Sequence, residues 1–187
     1  VGVYDYQTDS FYAYEKDEFE KLEEVLKGAT ALIGFNSNHF DIPVLAPHVS
    51  IDVTALPSLD LMADVEKFLG FRVSLDNLSQ MTLNKRKSGV GLEALQWWRE
   101  GKKDKVKEYC LQDVRLTRDL YEFGKKQGFV LTQTRDRGIV KVPVHWNAPV
   151  ISPRKILEEA FQKRLAVEID YSQDGKSTPT KRRIDIH

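Results

Sequence analysis

Thr30-Ala31-Leu32-Ile33-Gly34-Phe35-Asn36-Ser37-Asn38-His39-Phe40-Asp41 is the stretch on which the reading of the fold turns. Its first six residues are a short apolar run bounded by Gly28 and Asn36, which is the pattern of a buried strand. Asp41 then puts a carboxylate beyond the end of that strand, where α/β sheets place their ligands. An Asp at this point also suits the cap of the helix that follows, so the stretch by itself leaves both roles open.

Working toward the N-terminus, Glu18 to Lys27 carries Phe19, Leu22, Val25 and Leu26 at helical spacing, and Gly28 stands where a helix stops. Before it, Val1 to Tyr6 and Phe11 to Tyr14 are strand-like and are separated by the turn residues Thr8-Asp9-Ser10, which predicts a hairpin. Working toward the C-terminus, a short helix ends before Pro47, and His48 to Ser58 is irregular. Leu59 to Leu69 is helical, Ser74 caps a helix faced by Leu75, Leu78 and Met81, and Gly91 to Trp98 forms another short helix. Lys103 to Lys126 is the longest periodic segment and is closed by Gly128. A hairpin, a helix, a strand and then mostly helices predict an α/β fold with a mixed sheet flanked by helices.

Past Gly128 the periodicity weakens, and Gly138, Pro143 and Pro149 accumulate. The expected organisation is a first domain over residues 1–130, a linker with one strand over 131–152, and a partial module over 153–187. That module has a helix from Pro153 to Arg164 and strands Leu165–Tyr171 and Lys181–His187 around the turn signal Asp174-Gly175. The chain opens on Val1, and both ends read as strands in progress, so it is expected to be an N-terminally truncated fragment of a longer protein.

Composition narrows the function classes. Among 187 residues, 28 Lys and Arg balance 28 Asp and Glu, which excludes a polybasic tail protein and leaves nucleic-acid contact to local patches. No apolar run approaches the roughly 20 residues of a membrane span. The lone Cys110 forms no internal disulfide and leaves no thiol set for zinc. No membrane partner and a cytoplasmic location are the expectation.

The second chemical signal is Tyr109-Cys110-Leu111-Gln112-Asp113. Tyr109 and Asp113 are four residues apart and share one helix face, together with Val106 and Leu120. A carboxylate on an apolar face needs a partner or a metal, because desolvating it is costly. An ion pair with Arg would serve as well as a metal.

The N-x-x-x-F-D pattern of Asn36 to Asp41, followed by Y-x-x-x-D at Tyr109 to Asp113, resembles the second and third motifs of the DEDD exonucleases. The Tyr places the likeness in the DEDDy branch, which has a ribonuclease H-like fold. Leu75-Asp76-Asn77-Leu78 and Thr82-Leu83 are similar too. The nearest likeness is to predicted exonucleases related to the proofreading domain of family B DNA polymerases, and it covers roughly residues 1–130. The resemblance implies a 3′-5′ exonuclease acting on single-stranded DNA or RNA through two Mg²⁺ or Mn²⁺ ions held by four carboxylates. It further implies that Asp41 and Asp113 are metal ligands, that Tyr109 positions the attacking water, that Phe40 packs, and that Asn36 shapes the substrate loop. The first motif, D-x-E on the first strand, is absent from the 187 residues. Its loss is expected to leave a gap in the middle of the sheet and to make these residues alone catalytically incompetent. The alternative is a non-catalytic nucleic-acid-binding or regulatory module on the same fold.

Lys85, Arg86 and Lys87 make a basic loop suited to a phosphate backbone, and Arg99, Lys102, Lys103, Lys105 and Lys107 extend the charge. Of Trp97 and Trp98, adjacent on a helix, one is expected to pack and the other to be exposed. The four histidines show no metal-ligand spacing. Leu157 to Phe161, Leu165 to Tyr171 and Lys181 to Ile184 resemble the start of a WYL domain, in which a helix leads into an Sm-like barrel.

Overall fold

The structure is a computed structural model. It describes residues 1–86, 91–148, 150, 166–171 and 180–185. The chain divides into two units, Val1–Pro149 and Val150–His187.

The first unit begins with the expected hairpin. Strands β1 (Gly2–Asp5) and β2 (Ser10–Ala13) pair antiparallel, with Asp9 in the left-handed region at the turn. Helix α1 (Phe19–Gly28) buries Leu22 and Leu26, which stand one turn apart. Strand β3 (Leu32–Gly34) leads through the Asn36–Phe40 loop into α2 (Asp41–Leu45). The segment read as irregular, His48 to Ser58, starts in a 3₁₀ turn at Ala46–His48, holds another at Val53–Ala55 and runs into a strand, β4 (Ser58–Asp60), that pairs parallel with β3 and takes Leu59 and Asp60 from the expected helix. Sequence periodicity hides β4, because three residues cannot display an alternation.

Helices α3 (Leu61–Leu69), α4 (Leu75–Leu83), α5 (Gly91–Arg99) and α6 (Lys103–Gln127) follow as expected. The Ser74 hydroxyl accepts the Asn77 amide at 3.1 Å and caps α4. Gly128 closes α6 at φ 72°, where a side chain would be strained.

The architecture is mixed α/β, but the β1–β2 and β3–β4 pairs are separate two-stranded sheets with no ladder between them. β3 separates two clusters of buried apolar side chains. Ile33 faces the larger one, built on Leu61, Val65, Leu78, Leu116 and Leu120, and Leu32 faces the smaller one, with Leu22, Leu26 and Val53. That is the alternation of a strand covered on both faces.

Residues 129–143, read from sequence as the end of the first domain and a linker with one strand, form a second hairpin. Strands β5 (Phe129–Thr134) and β6 (Gly138–Pro143) bury Val130 and Val142 completely in the larger core, where Trp146 also packs. Thr132 and Thr134 are buried beside Val130, so two of the three inward positions of β5 carry hydroxyls and its alternation is weak to the eye. Side chains of α4 occupy the outer edge of β5. The Asn77 amide bonds both the N–H and the C=O of Gln133 at 2.9 and 2.8 Å, and the Thr82 hydroxyl does the same for Leu131 at 2.9 and 3.0 Å.

In the second unit, β7 (Ala166–Tyr171) and β8 (Thr180–Asp185) pair antiparallel from Ala166 opposite Asp185 to Tyr171 opposite Thr180. This is the expected tail hairpin. The helix expected over Pro153–Arg164, the Asp174-Gly175 turn and Lys87 lie outside the described residues.

Candidate active site

Parallel pairing puts Gly34 opposite Asp60, so β3 and β4 end side by side. Asp60 is the last residue of β4 and the cap of α3, and it is only 4% exposed. One carboxylate oxygen accepts the amides of Asn36, Met62 and Ala63 at 2.8, 3.1 and 3.3 Å, and the other accepts the amide of Asn38 at 3.0 Å. Two of these donors belong to the start of α3 and two to the loop that carries the N-x-x-x-F-D pattern. Asp60 therefore fastens that loop to the helix, and the positive end of α3 offsets its buried charge.

The loop is shaped by small residues as well. Asn36 sits at φ 62°, a conformation that Asn tolerates better than most side chains. Its side-chain oxygen accepts from Arg72, which also faces Glu66 at 3.7 Å. A Cβ on Gly34 would come within 2.4 Å of the Ser37 side chain, so glycine is required where the loop folds back on the strand.

Asp41 is the first residue of α2. The cap position belongs to Phe40, whose side chain makes no cap bond, and the backbone amide of Asp41 itself faces its carboxylate and partly lowers its pKa. The residue is surface-accessible, yet enough protein surrounds its carboxyl that burial raises its pKa, and the charges of Asp60 and Asp113 raise it further. Asp113 projects from the middle of α6, half-buried, with one carboxylate oxygen out of reach of solvent. It lies close enough for its charge to be felt at Asp41 although the two stand far apart along the chain. Tyr109, one turn before Asp113, is half-buried with its ring edge-on to Trp97 at 6.3 Å. Trp97 is the packed member of the tryptophan pair and Trp98 the exposed one.

Phe40 departs from expectation. Its ring is 61% exposed beside Asp41, because an N-cap side chain before a five-residue helix finds no core to enter. The basic residues also sort differently from their sequence grouping. Lys103 and Lys107 both pair with Glu15, at 2.7 and 2.8 Å, and hold its carboxyl down at about 2, while Lys102 pairs with Glu100. Lys85 and Arg86 instead reach a cleft against α6, where Lys85 meets Asp119 at 2.7 Å.

Asp60 is the residue that sequence reading missed. The signal was available, since Asp directly before the apolar Leu61-Met62 is a helix cap by composition. Its second bond set, to the loop, follows from the parallel pairing alone.

Hard carboxylate oxygens suit a divalent cation such as Mg²⁺. Among the described residues, however, no group of three or more His, Cys, Asp or Glu is arranged to hold a metal ion. Asp41 and Asp113 fit such an ion in kind and not in number.

Residues 1–123 match the family model RNase_H_2, described as RNase_H superfamily. The chain belongs to the RNase H superfamily. Neither a curated protein nor a solved structure matches it. The mixed α/β fold of this RNase H-like chain agrees with that membership. Membership points to a nuclease-like function on nucleic acid, in a family of enzymes that generally use divalent metals. Among the described residues, no helix is long and apolar enough to cross a membrane.

Proposed function

We propose that this RNase H-like domain is the greater part of a DEDDy-type 3′-5′ exonuclease for single-stranded nucleic acid. The observation that carries the reading is that the two acids of the N-x-x-x-F-D and Y-x-x-x-D patterns, Asp41 at the start of α2 and Asp113 in the middle of α6, fall where the charge of one acts on the other. Two like charges brought together in partly buried surroundings repel, and a bound cation is what relieves them. Asp41 and Asp113 would be two of the four carboxylates that the resemblance implies, and a D-x-E on a strand, a pattern these residues carry only inside α3 at Asp64-Val65-Glu66, would bring the others. When bound, Mg²⁺ or Mn²⁺ would polarise the scissile phosphate and supply hydroxide. The chain's own residues hold the geometry: Asp60 fixes the loop, Tyr109 stands one turn from Asp113 to orient a water, and the exposed Phe40 offers a face for a base. The likeness of the tail to the start of a WYL domain is supported by the β7–β8 pairing.

The test uses the protein carrying a D-x-E strand upstream of Val1, with Mn²⁺ and a single-stranded oligonucleotide labelled at its 5′ end. Stepwise shortening from the 3′ end is expected, reduced at least about 100-fold in Asp41→Ala and in Asp113→Ala, the scale on which loss of a catalytic electrostatic group acts. Full activity in either variant would overturn the assignment. The incomplete carboxylate set favours one second reading, a nucleic-acid-binding module without chemistry. Binding of the oligonucleotide with no cleavage in the D-x-E-bearing protein would select it.

A further inference from the structure

A cleft of about 410 Å³ opens between the end of α4 and the middle of α6. Four cations line it, Lys85, Arg86, Arg115 and Arg118, against one carboxylate, Asp119. Asp119 already binds Lys85 at 2.7 Å and Arg118 at 2.6 and 2.9 Å, and those contacts hold its pKa below the usual carboxylate range despite burial. The Arg115 and Arg118 guanidinium groups each lie 4.8 Å from the Phe11 ring, and Arg118 also lies 4.9 Å from the ring of Tyr4. Stacking on a ring occupies a guanidinium face and leaves its N–H edges for a planar, two-oxygen acceptor. Among the described residues, Arg115 has no carboxylate partner, and Arg86 has a neutral one, the Gln80 amide oxygen. Near the start of α6, by contrast, Lys102 pairs with Glu100, and Lys103 and Lys107 share Glu15. The cleft thus concentrates uncompensated positive charge on ordered, ring-supported groups, which is unfavourable unless an anion enters.

We propose that this cleft is a phosphate-binding site for the backbone of single-stranded nucleic acid, separate from the Asp41–Asp113 site. Gln112 lines it and immediately precedes Asp113. At about 100° per residue, the α6 positions that line the cleft (Gln112, Arg115, Leu116, Arg118 and Asp119) centre on a different side of the helix from Asp113, so the cleft is a second site and not an extension of the first. The excess of three positive charges suits a polyanion better than a lone carboxylate. Only the choice of nucleic acid as the source of the phosphate rests on the nuclease reading. The test is binding without metal, so loss of either conclusion leaves the other standing.

The experiment measures fluorescence anisotropy of a short 5′-fluorescein oligothymidylate titrated with the full 187-residue chain in EDTA, at several salt concentrations. Arg115→Gln is expected to weaken binding about 5- to 10-fold and to flatten the slope of log K against log salt by about 1, as one lost phosphate contact does. Arg86→Gln is expected to act in the same direction and carries the test if Arg115→Gln fails to fold. Arg115→Lys should restore part of the slope, and Lys103→Gln, remote from the cleft, should change neither quantity. Unchanged affinity and slope in Arg115→Gln and Arg86→Gln overturn the site. Complete displacement of the oligonucleotide by low-millimolar inorganic phosphate overturns the assignment to nucleic acid and identifies a free-phosphate site.

Discussion

Asp60 ends β4, Asp41 opens the helix that follows β3, and the two differ in almost every physical respect. Asp60 is buried, caps a helix and has its oxygens taken up by four backbone amides. Asp41 is accessible, and burial of its carboxyl and two neighbouring acids push it toward its neutral form against the pull of its own backbone amide. A carboxylate that the fold uses for itself is saturated with donors, whereas one held against repulsion is available to something that is not protein.

Three substitutions probe that contrast, beginning with the largest change in stability. Asp60→Ala removes the acceptor for four amides, two of which start α3, and should cost about 3 kcal/mol in urea unfolding, since a lost cap and unmet buried donors each contribute about 1–2. A cost under about 1 kcal/mol would remove the division between a structural and an available acid. Gly34→Ala, which forces a Cβ against Ser37, should cost about 1–3 kcal/mol by overpacking and displace the loop that Asp60 holds. Amide chemical-shift changes confined to residues near Asn36 and Asn38 would verify the displacement, and a wild-type spectrum would contradict it.

The smallest effect is expected for Asp41→Asn, within about 0.5 kcal/mol of wild type or more stable at neutral pH. Its pH dependence carries the sign. Because the folded pKa of Asp41 lies above the ordinary 3.8, the native state binds more protons than the unfolded chain between those two values. Asp41 therefore lowers stability as pH rises through that window, and it adds nothing unfavourable below it. Asp41→Asn should remove this decline, so the variant gains on wild type as pH rises from about 4 upward. Superimposable stability–pH curves for the two proteins would show that Asp41 feels no burden from its neighbours.

Much of the first unit could be read from residue order. Helices α1, α3, α4 and α6 announce themselves through apolar spacing and through Ser74, Gly28 and Gly128 at their ends. The strand–loop–acid stretch from Leu32 to Asp41 was legible because an apolar run stops abruptly at Asn36. β4 was not, since Ser58-Leu59-Asp60 is too short for a period, and its pairing with β3 is a long-range event. The β5–β6 hairpin was obscured by Thr132 and Thr134, whose buried hydroxyl-bearing side chains look like exposed ones in a list. That Asp41 and Asp113 share a site is an expectation of the family likeness, which no local pattern carries. The division of the basic residues between Glu15 and the α6 cleft depends on where Glu15 falls in space, which no local pattern encodes.

The bonds from Asn77 and Thr82 to β5 carry a consequence for the behaviour of the protein in concentrated solution. An open strand margin is a template on which a second molecule can add its own strand and seed fibres. Two polar side chains from a helix here imitate a neighbouring strand so closely that the margin offers no vacant amides at Leu131 and Gln133. Solubility of the folded chain thus depends in part on a pair of residues that lie far from any chemistry.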